Sequence, residues 1–195
     1  MAYVNTHTIF PTMLIEFMFD MDKNERDTVI KELDSIKKKP GEINIQTKGE
    51  LDKRIPKFAS MIGGISEKMC ENLNYKYESM EMTGMWANKL VKGEVHPPHN
   101  HSNNILSGGY YLEGGSPIQF FDPRPQASVF KPRNTPNWNN SSMIQFNSVE
   151  GKGFIFPSWL MHWVPPTDEE RVSVSWNVIV RGDYGEPNTL QNAHI

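Results

Sequence analysis

From Tyr75 onward the chain is a succession of short β-prone segments cut by turn residues, and this pattern limits its fold more than any other feature. The segments are Tyr75–Met82, Met85–Val91, Ile105–Leu112, Ile118–Phe121, Ser142–Phe146, Gly153–Phe156, His162–Val164 and Val172–Val180. Short strands at such spacing build a β-sandwich or barrel. What precedes them has a different period. Asp20 and Asp22 offer N-cap oxygens, and Val29, Ile30, Leu33 and Ile36 recur at helical spacing up to Lys37–Lys39 and Pro40. A second helix is expected from Pro56, with Phe58, Met61, Ile62, Ile65, Met69 and Leu73 on one stripe that Gly63–Gly64 weakens. Thr8–Phe19 reads as an edge strand interrupted by Pro11, and Gly41–Lys53 as a polar loop. Helices first and strands after predict a mainly β fold with N-terminal helices packed on one sheet. The helical support spans about 1–74 and the β core about 75–181, within one domain of 1–195.

At 195 residues the chain can bury one sizeable core. A net charge of -3 gives no footprint for duplex nucleic acid or an anionic membrane. Cys70 is the single cysteine, which leaves no internal disulfide and suits a reducing compartment. No apolar run approaches the ~20 residues that span a bilayer, and the N-terminus lacks the pattern of a signal peptide. The expectation is a cytoplasmic protein without a membrane partner.

Chemistry-bearing residues concentrate in three places. His99 and His101 are two apart, so on an extended chain they project from one face, as half of a metal site would require. A polar loop with two solvated histidines would show the same spacing. His162 lies in an apolar setting beside Trp159 and Trp163, where a histidine is either a hydrogen-bonded core residue or a third ligand; the two tryptophans would shield the metal or simply pack. In Arg171–Ile179, alternation puts Arg171, Ser173, Ser175 and Asn177 on one face and Val172, Val174, Trp176 and Val178 on the other. One cation among small hydrogen-bonders suits an anionic ligand, because an arginine fork matches a carboxylate. Between strands, Asp122–Ser141 is long and proline-rich, which points to a lid or substrate loop anchored by Phe130 and Trp138. His7 and His194 are expected to be solvated.

The elements Phe10-Pro-Thr12, Trp86-Ala-Asn88, His99-Asn-His101, Leu106-Ser-Gly-Gly-Tyr-Tyr111, Phe121-Asp-Pro-Arg124, Phe156-Pro-Ser-Trp-Leu-Met-His162 and Arg171-Val-Ser-Val-Ser-Trp-Asn177 occur in order across most of the chain. Together they resemble a family of small 2-oxoglutarate/Fe(II)-dependent oxygenases of bacteria and phages, and more distantly the prolyl 4-hydroxylase branch. The resemblance implies a double-stranded β-helix (jelly roll) that uses Fe(II), 2-oxoglutarate and O2 to hydroxylate an unidentified prime substrate. It assigns His99 and His162 to the metal and Arg171, with Ser173, to the distal carboxylate of 2-oxoglutarate. Tyr111 and Asn177 match further cosubstrate contacts more loosely. The departure is His101, where the superfamily carries a carboxylate. Either three histidines form the metal site, or Asp122 supplies the carboxylate, or His96 takes part, although Pro97–Pro98 should hold His96 off the shared face. A three-histidine zinc hydrolase or lyase and a cupin-like binding protein without oxygenase activity are the rival readings.

Overall fold

The computed structural model describes residues 2–124 and 132–195. Helices α1 (Lys23–Asp34) and α2 (Pro56–Asn72) accompany strands β1 (Ile15–Met18), β2 (Ile45–Gln46), β3 (Ser79–Leu90), β4 (His96–His99), β5 (Leu106–Glu113), β6 (Gly115–Phe121), β7 (Met143–Ser148), β8 (Lys152–Pro157), β9 (His162–Val164) and β10 (Arg171–Arg181). The strands form two antiparallel sheets, one in the order β1-β8-β5-β10-β3-β2 and one in the order β4-β9-β6-β7. A ribbon of β11 (Asp183–Tyr184) and β12 (Ala193–His194) follows, with His194 exposed and its Nδ1 3.0 Å from Asp183. The architecture is the mainly β sandwich with helices on one sheet that the sequence pattern predicts.

Both helices bury an apolar stripe on the six-stranded sheet. Asp22 caps α1, its side chain accepting from the backbone of Asn24 and Glu25 at 3.0 and 3.4 Å. Val29 and Leu33 then pack with Phe58, Ile62 and Met69 of α2 over Val172, Val174, Trp176 and Val178 of β10. Helix α1 stops at Asp34, where Ser35 Oγ donates to the Glu32 carbonyl at 2.7 Å. The expected continuation to Lys39 does not form, so Lys37–Lys39 do not complement its dipole. Helix α2 has no side-chain cap of its own. The buried carboxylate of Glu25 supplies one from α1, accepting from the Lys57 and Phe58 amides at 2.8 and 3.1 Å. Gly63 and Gly64 leave the helix intact, and a Cβ at either would meet nothing within 4 Å.

Three sequence boundaries shift. The two strands expected over 75–91 are one strand, β3, with a bulge at Thr83, because Gly84 pairs with Asn177 while Met82 pairs with Val178. Thr83 Oγ1 turns out to meet Asn104 Oδ1 at 2.6 Å. The segment read as a polar loop over 41–53 places Ile45–Gln46 on the sheet edge and buries Leu51 beneath it. The N-terminal edge strand begins at Ile15, where the ladder to Ile155 starts, and not at Thr8.

Between the sheets lies a second apolar cluster of Tyr111, Phe154 and Phe156 from the large sheet, Ile118 and Phe120 from the small one, and Leu160. It floors the space into which the polar face of β10 looks.

Candidate metal and cosubstrate site

Strands β4 and β9 are neighbours, and His99 and His162 are direct cross-strand partners, so their rings lie side by side with centroids 4.3 Å apart. Each ring spends one nitrogen on a backbone carbonyl. His99 Nδ1 is 2.8 Å from the Pro97 oxygen, and His162 Nδ1 is 2.9 Å from that of Leu160. A carbonyl only accepts, so both Nδ1 atoms carry hydrogen and both Nε2 lone pairs are free, the arrangement in which a metal-binding histidine is held. His101 arrives differently from the strand alternation expected of it. Strand β4 ends at His99, and the chain then turns through Asn103 at φ 62, a left-handed conformation that asparagine tolerates. The His101 amide is tied to the Ser158 oxygen at 2.9 Å. Its ring thereby sits 5.1 and 5.3 Å from those of His99 and His162. One ligand atom from each of the three lies within 4.8 Å of the others.

Burial disfavours the imidazolium forms. It pulls His162 down to about 3 and His101 down to about 4, with His99 adding to both, and it lowers His99 against the opposing Pro97 bond. Neutral imidazole is the form that binds a metal.

His96 is also on this wall, contrary to the expectation that the prolines would hold it away. The pairing runs His99 to His162 but His96 to Val164, three residues against two, so Pro97–Pro98 form a bulge that returns His96 to the inward face. Its ring stacks on His99 at 4.4 Å and 13°. Burial takes it down to about 4, helped by His99, Arg171 and His101.

Across the cavity, β10 presents Arg171, Ser173 and Ser175, with Tyr111 from β5 and Trp86 and Asn88 from β3 beside them. Arg171 is 4% exposed. Its guanidinium lies 4.8 Å over the Tyr111 ring, with Nη1 donating to Ser173 Oγ at 3.2 Å and Nε to Ser148 Oγ at 3.4 Å. No carboxylate pairs with it among the described residues. Burial therefore works against its charge, with Tyr111 favouring it. The Tyr111 hydroxyl is buried without a hydrogen-bond partner among the described residues. A buried cation and an orphaned phenol on one wall fit an anionic guest. Gly115 belongs to this arrangement: at φ 132, a Cβ there would lie 2.8 Å from Arg171 Cβ.

Other expected site residues fall elsewhere. Asn177 shares the polar face but is not on the cavity wall; its Oδ1 accepts from Ser107 Oγ at 2.7 Å, and Ser107 meets Ser158 Oγ at 2.8 Å. Asp122 grips Arg124 with both oxygens, at 2.9 and 2.8 Å, and lines a neighbouring groove rather than the histidine cavity. Trp163 points away from the metal side, because His162 points inward and neighbours on a strand alternate; its Nε1 donates to Gln119 at 2.7 Å. Trp159 is 53% exposed. Phe156 and Phe120 flank His162 instead, with centroids at 4.8 and 5.8 Å. Trp138, 71% exposed, meets Phe146 with ring centroids 5.7 Å apart and a tilt of 52°, while Phe130 lies outside the described residues. The sequence reading gave no role to Trp86, Phe120, Phe156 or Ser148, and only period-2 parity with a known inward residue could have marked them.

Two sheets enclosing paired strand histidines and a strand-borne arginine define a double-stranded β-helix of the oxygenase type. Residues 84–177 match the family model described as "Putative 2OG-Fe(II) oxygenase". That match and the fold together indicate a 2-oxoglutarate/Fe(II)-dependent oxygenase, whose cofactor and cosubstrates are ferrous iron, 2-oxoglutarate and O2. Among solved structures, a 2OG-Fe(II) oxygenase family oxidoreductase from Burkholderia pseudomallei is 10% identical, with coverage of 85% of this chain and 84% of that one and a TM-score of 0.59. A prolyl-4-hydroxylase from Pseudomonas putida is 13% identical, at 88% and 94% coverage and a TM-score of 0.58. HygX from Streptomyces hygroscopicus, with nickel and 2-oxoglutarate bound, is 11% identical, at 87% and 83% coverage and a TM-score of 0.56. At these identities the likeness is one of fold. No curated protein matches the chain in sequence. The zinc hydrolase and the non-enzymatic cupin readings give way to the oxygenase. No helix among the described residues is long and apolar enough to cross a membrane.

Proposed function

We propose that this chain is a single oxygenase domain in which His99, His101 and His162 hold ferrous iron while Arg171, Ser173 and Tyr111 hold the distal carboxylate of 2-oxoglutarate, and that it hydroxylates a C–H bond of a prime substrate. Bound there, iron and 2-oxoglutarate supply the oxidation: O2 gives one oxygen atom to the substrate and one to succinate, and CO2 is released. The chain's own share is to bind, orient and exclude water. The observation that carries the reading is Arg171, a buried guanidinium without a carboxylate partner among the described residues, facing a cavity whose other wall is neutral imidazole. Three neutral ligands leave the metal's +2 charge whole, and a dianionic cosubstrate balances it. A zinc hydrolase would leave Arg171 without a task.

The prime substrate is assigned to the larger groove of about 550 Å³ beside the histidines, lined by Leu14, Phe120, Trp138, Phe146 and Leu160 with a threonine-rich rim. The register supports this. Phe120 pairs with His162, and Ile15 pairs with Ile155 near the end of β8 that leads into His162, so the groove's walls leave their strands at the histidine end. The prolyl-4-hydroxylase among the structural neighbours makes a protein side chain the first substrate to try.

Anaerobic titration of the iron-loaded protein with 2-oxoglutarate, followed by the charge-transfer absorption of the chelate, tests the assignment. Arg171→Leu should weaken 2-oxoglutarate by roughly ten- to a hundredfold, from the 1.5–3 kcal/mol of a charge-assisted hydrogen bond, and leave iron binding nearly unchanged. His99→Ala and His162→Ala should lose stoichiometric iron, and His101→Asp should keep it. Unaltered 2-oxoglutarate affinity in Arg171→Leu sinks the reading.

A further inference from the structure

We infer that His96 is a cosubstrate-binding residue: its imidazole donates a hydrogen bond to a carboxylate oxygen of 2-oxoglutarate, at a point between the metal ligands and Arg171. This rests on the oxygenase reading above.

Placement is the first argument. The bulge at Pro97–Pro98 sets His96 on the inward wall, one step along the β4–β9 ladder from the His99–His162 pair. Both prolines are exposed, and neither needs an N–H partner, so the bulge costs the ladder no donor there. The cavity lined by the three clustered histidines is also lined by His96, Val164 and, from its other side, Arg171. His96 lies within electrostatic reach of both His99 and Arg171. A molecule with one end at the three histidines and its distal carboxylate on Arg171 would occupy the cavity that His96 lines.

Its unused nitrogens are the second argument. His99 and His162 each spend Nδ1 on a carbonyl, and their free Nε2 atoms converge with His101. His96 makes no such bond with the described residues, and it is not part of the three-histidine cluster. Its ring lies nearly parallel to that of His99, so His99 occupies one of its faces while its edge remains available. An imidazole so placed has an N–H to give, and a carboxylate is the acceptor that this cavity is built to receive.

The test compares His96→Phe, which keeps a flat ring against His99 but no donor, with His96→Gln, which keeps a donor. Metal affinity and 2-oxoglutarate affinity are measured separately by anaerobic calorimetry, first with Fe(II) and then with 2-oxoglutarate on the Fe(II)-loaded protein. A melting curve shows that each variant is folded. The expected result is metal affinity within about twofold of the parent in both variants, 2-oxoglutarate weakened about tenfold in His96→Phe, and most of that recovered in His96→Gln. Should His96→Phe fail to fold, His96→Gln against His96→Leu carries the same comparison. Unchanged 2-oxoglutarate affinity without the donor overturns the inference, and so does loss of the metal, which would make His96 a ligand. If the parent protein itself does not bind 2-oxoglutarate, the oxygenase site has been misread and the role of His96 falls with it.

Discussion

Gly108→Ala should destabilise the fold severely, while Gly109→Ala, its neighbour, should be tolerated. Gly108 on β5 is the cross-strand partner of Trp176 on β10, and the indole lies across the space a side chain would take. A Cβ at Gly108 would stand 2.2 Å from Trp176 Cζ2, 2.4 Å from Cε2 and 2.6 Å from the Phe154 carbonyl oxygen. Ordinary contact is about 3.5–4.0 Å, so more than 1 Å must be found. The indole has nowhere to go. It is 0% exposed and is packed against Phe58 at 5.9 Å and Phe17 at 6.4 Å. The carbonyl belongs to the β5–β8 ladder and cannot yield without breaking it. Overpacking of a tight core costs typically 1–3 kcal/mol and occasionally more, and a clash with backbone puts this site at or above about 3 kcal/mol. For a chain of this length, that is a fall in Tm of roughly 6–12 °C. At Gly109 a Cβ meets nothing within 4 Å, so Gly109→Ala should melt within about 2 °C of the parent. Calorimetric melting of both variants decides it. Equal melting temperatures would refute the packing argument, and Trp176→Leu should recover part of the loss when combined with Gly108→Ala.

Three further outcomes are expected. Glu25→Ala removes the only side-chain acceptor among the described residues for the Lys57 and Phe58 amides and should cost about 1–3 kcal/mol in urea unfolding; no change would mean that water replaces it without penalty. Trp163→Phe should lose about 1 kcal/mol with its bond to Gln119 and leave metal affinity untouched, because the indole faces away from the histidines; a weakened metal would restore the shielding role. The metal-free protein should lose stability as pH falls from about 6.5 toward 4. His162 is held down to about 3 and His96 and His101 to about 4, so in that window the unfolded chain takes up protons that the folded one refuses. Urea midpoints that stay flat across the window would show that these imidazoles are not held neutral.

Parity explains both what the sequence disclosed and what it hid. The alternation along β10 is unbroken from Arg171 to Asn177, so reading every second residue placed Val172, Val174 and Trp176 against the helices and Arg171 and Ser173 in the cavity. Wherever parity slips, the reading slips with it. The bulge at Pro97–Pro98 reverses the side on which His96 belongs, and two adjacent prolines mark an edge strand or a bulge without saying which. Adjacency in sequence suggests that Trp163 shares the side of His162, although adjacency on a strand means opposite faces. His101 reaches the histidine cluster through a left-handed turn at Asn103 and one backbone bond to Ser158, contacts that no periodicity encodes. Helix ends fared no better: Lys37–Lys39 look like a helix terminus, but Ser35 closes α1 earlier by taking the Glu32 carbonyl.

The motif Ser107-Gly-Gly-Tyr-Tyr111 shows why the two faces of one strand cannot vary independently. Its outward residues serve the helices: Gly108 makes room for Trp176, and Tyr110 packs on Phe58 at 4.9 Å and donates to the Phe19 carbonyl at 2.9 Å. Its inward residues serve the site. Ser107 ties Asn177 to Ser158, whose carbonyl holds the His101 amide, Gly109 adds no bulk to the cavity wall, and Tyr111 lies under Arg171. A slip of one residue in the pairing of β5 with β10 would exchange these roles, burying Ser107 and Tyr111 Oη under the helices and turning Trp176 toward the wrong partner. Trp176 against Gly108 sets the largest side chain of the ladder opposite none at all, as Phe17 against Gly153 does on β8, so it helps to fix the register from the helix side. The position of Arg171 opposite the histidines follows from that register. The packing that makes Gly108→Ala costly is therefore also what aims the guanidinium into the cavity, so stability and the position of Arg171 are set by the same contact.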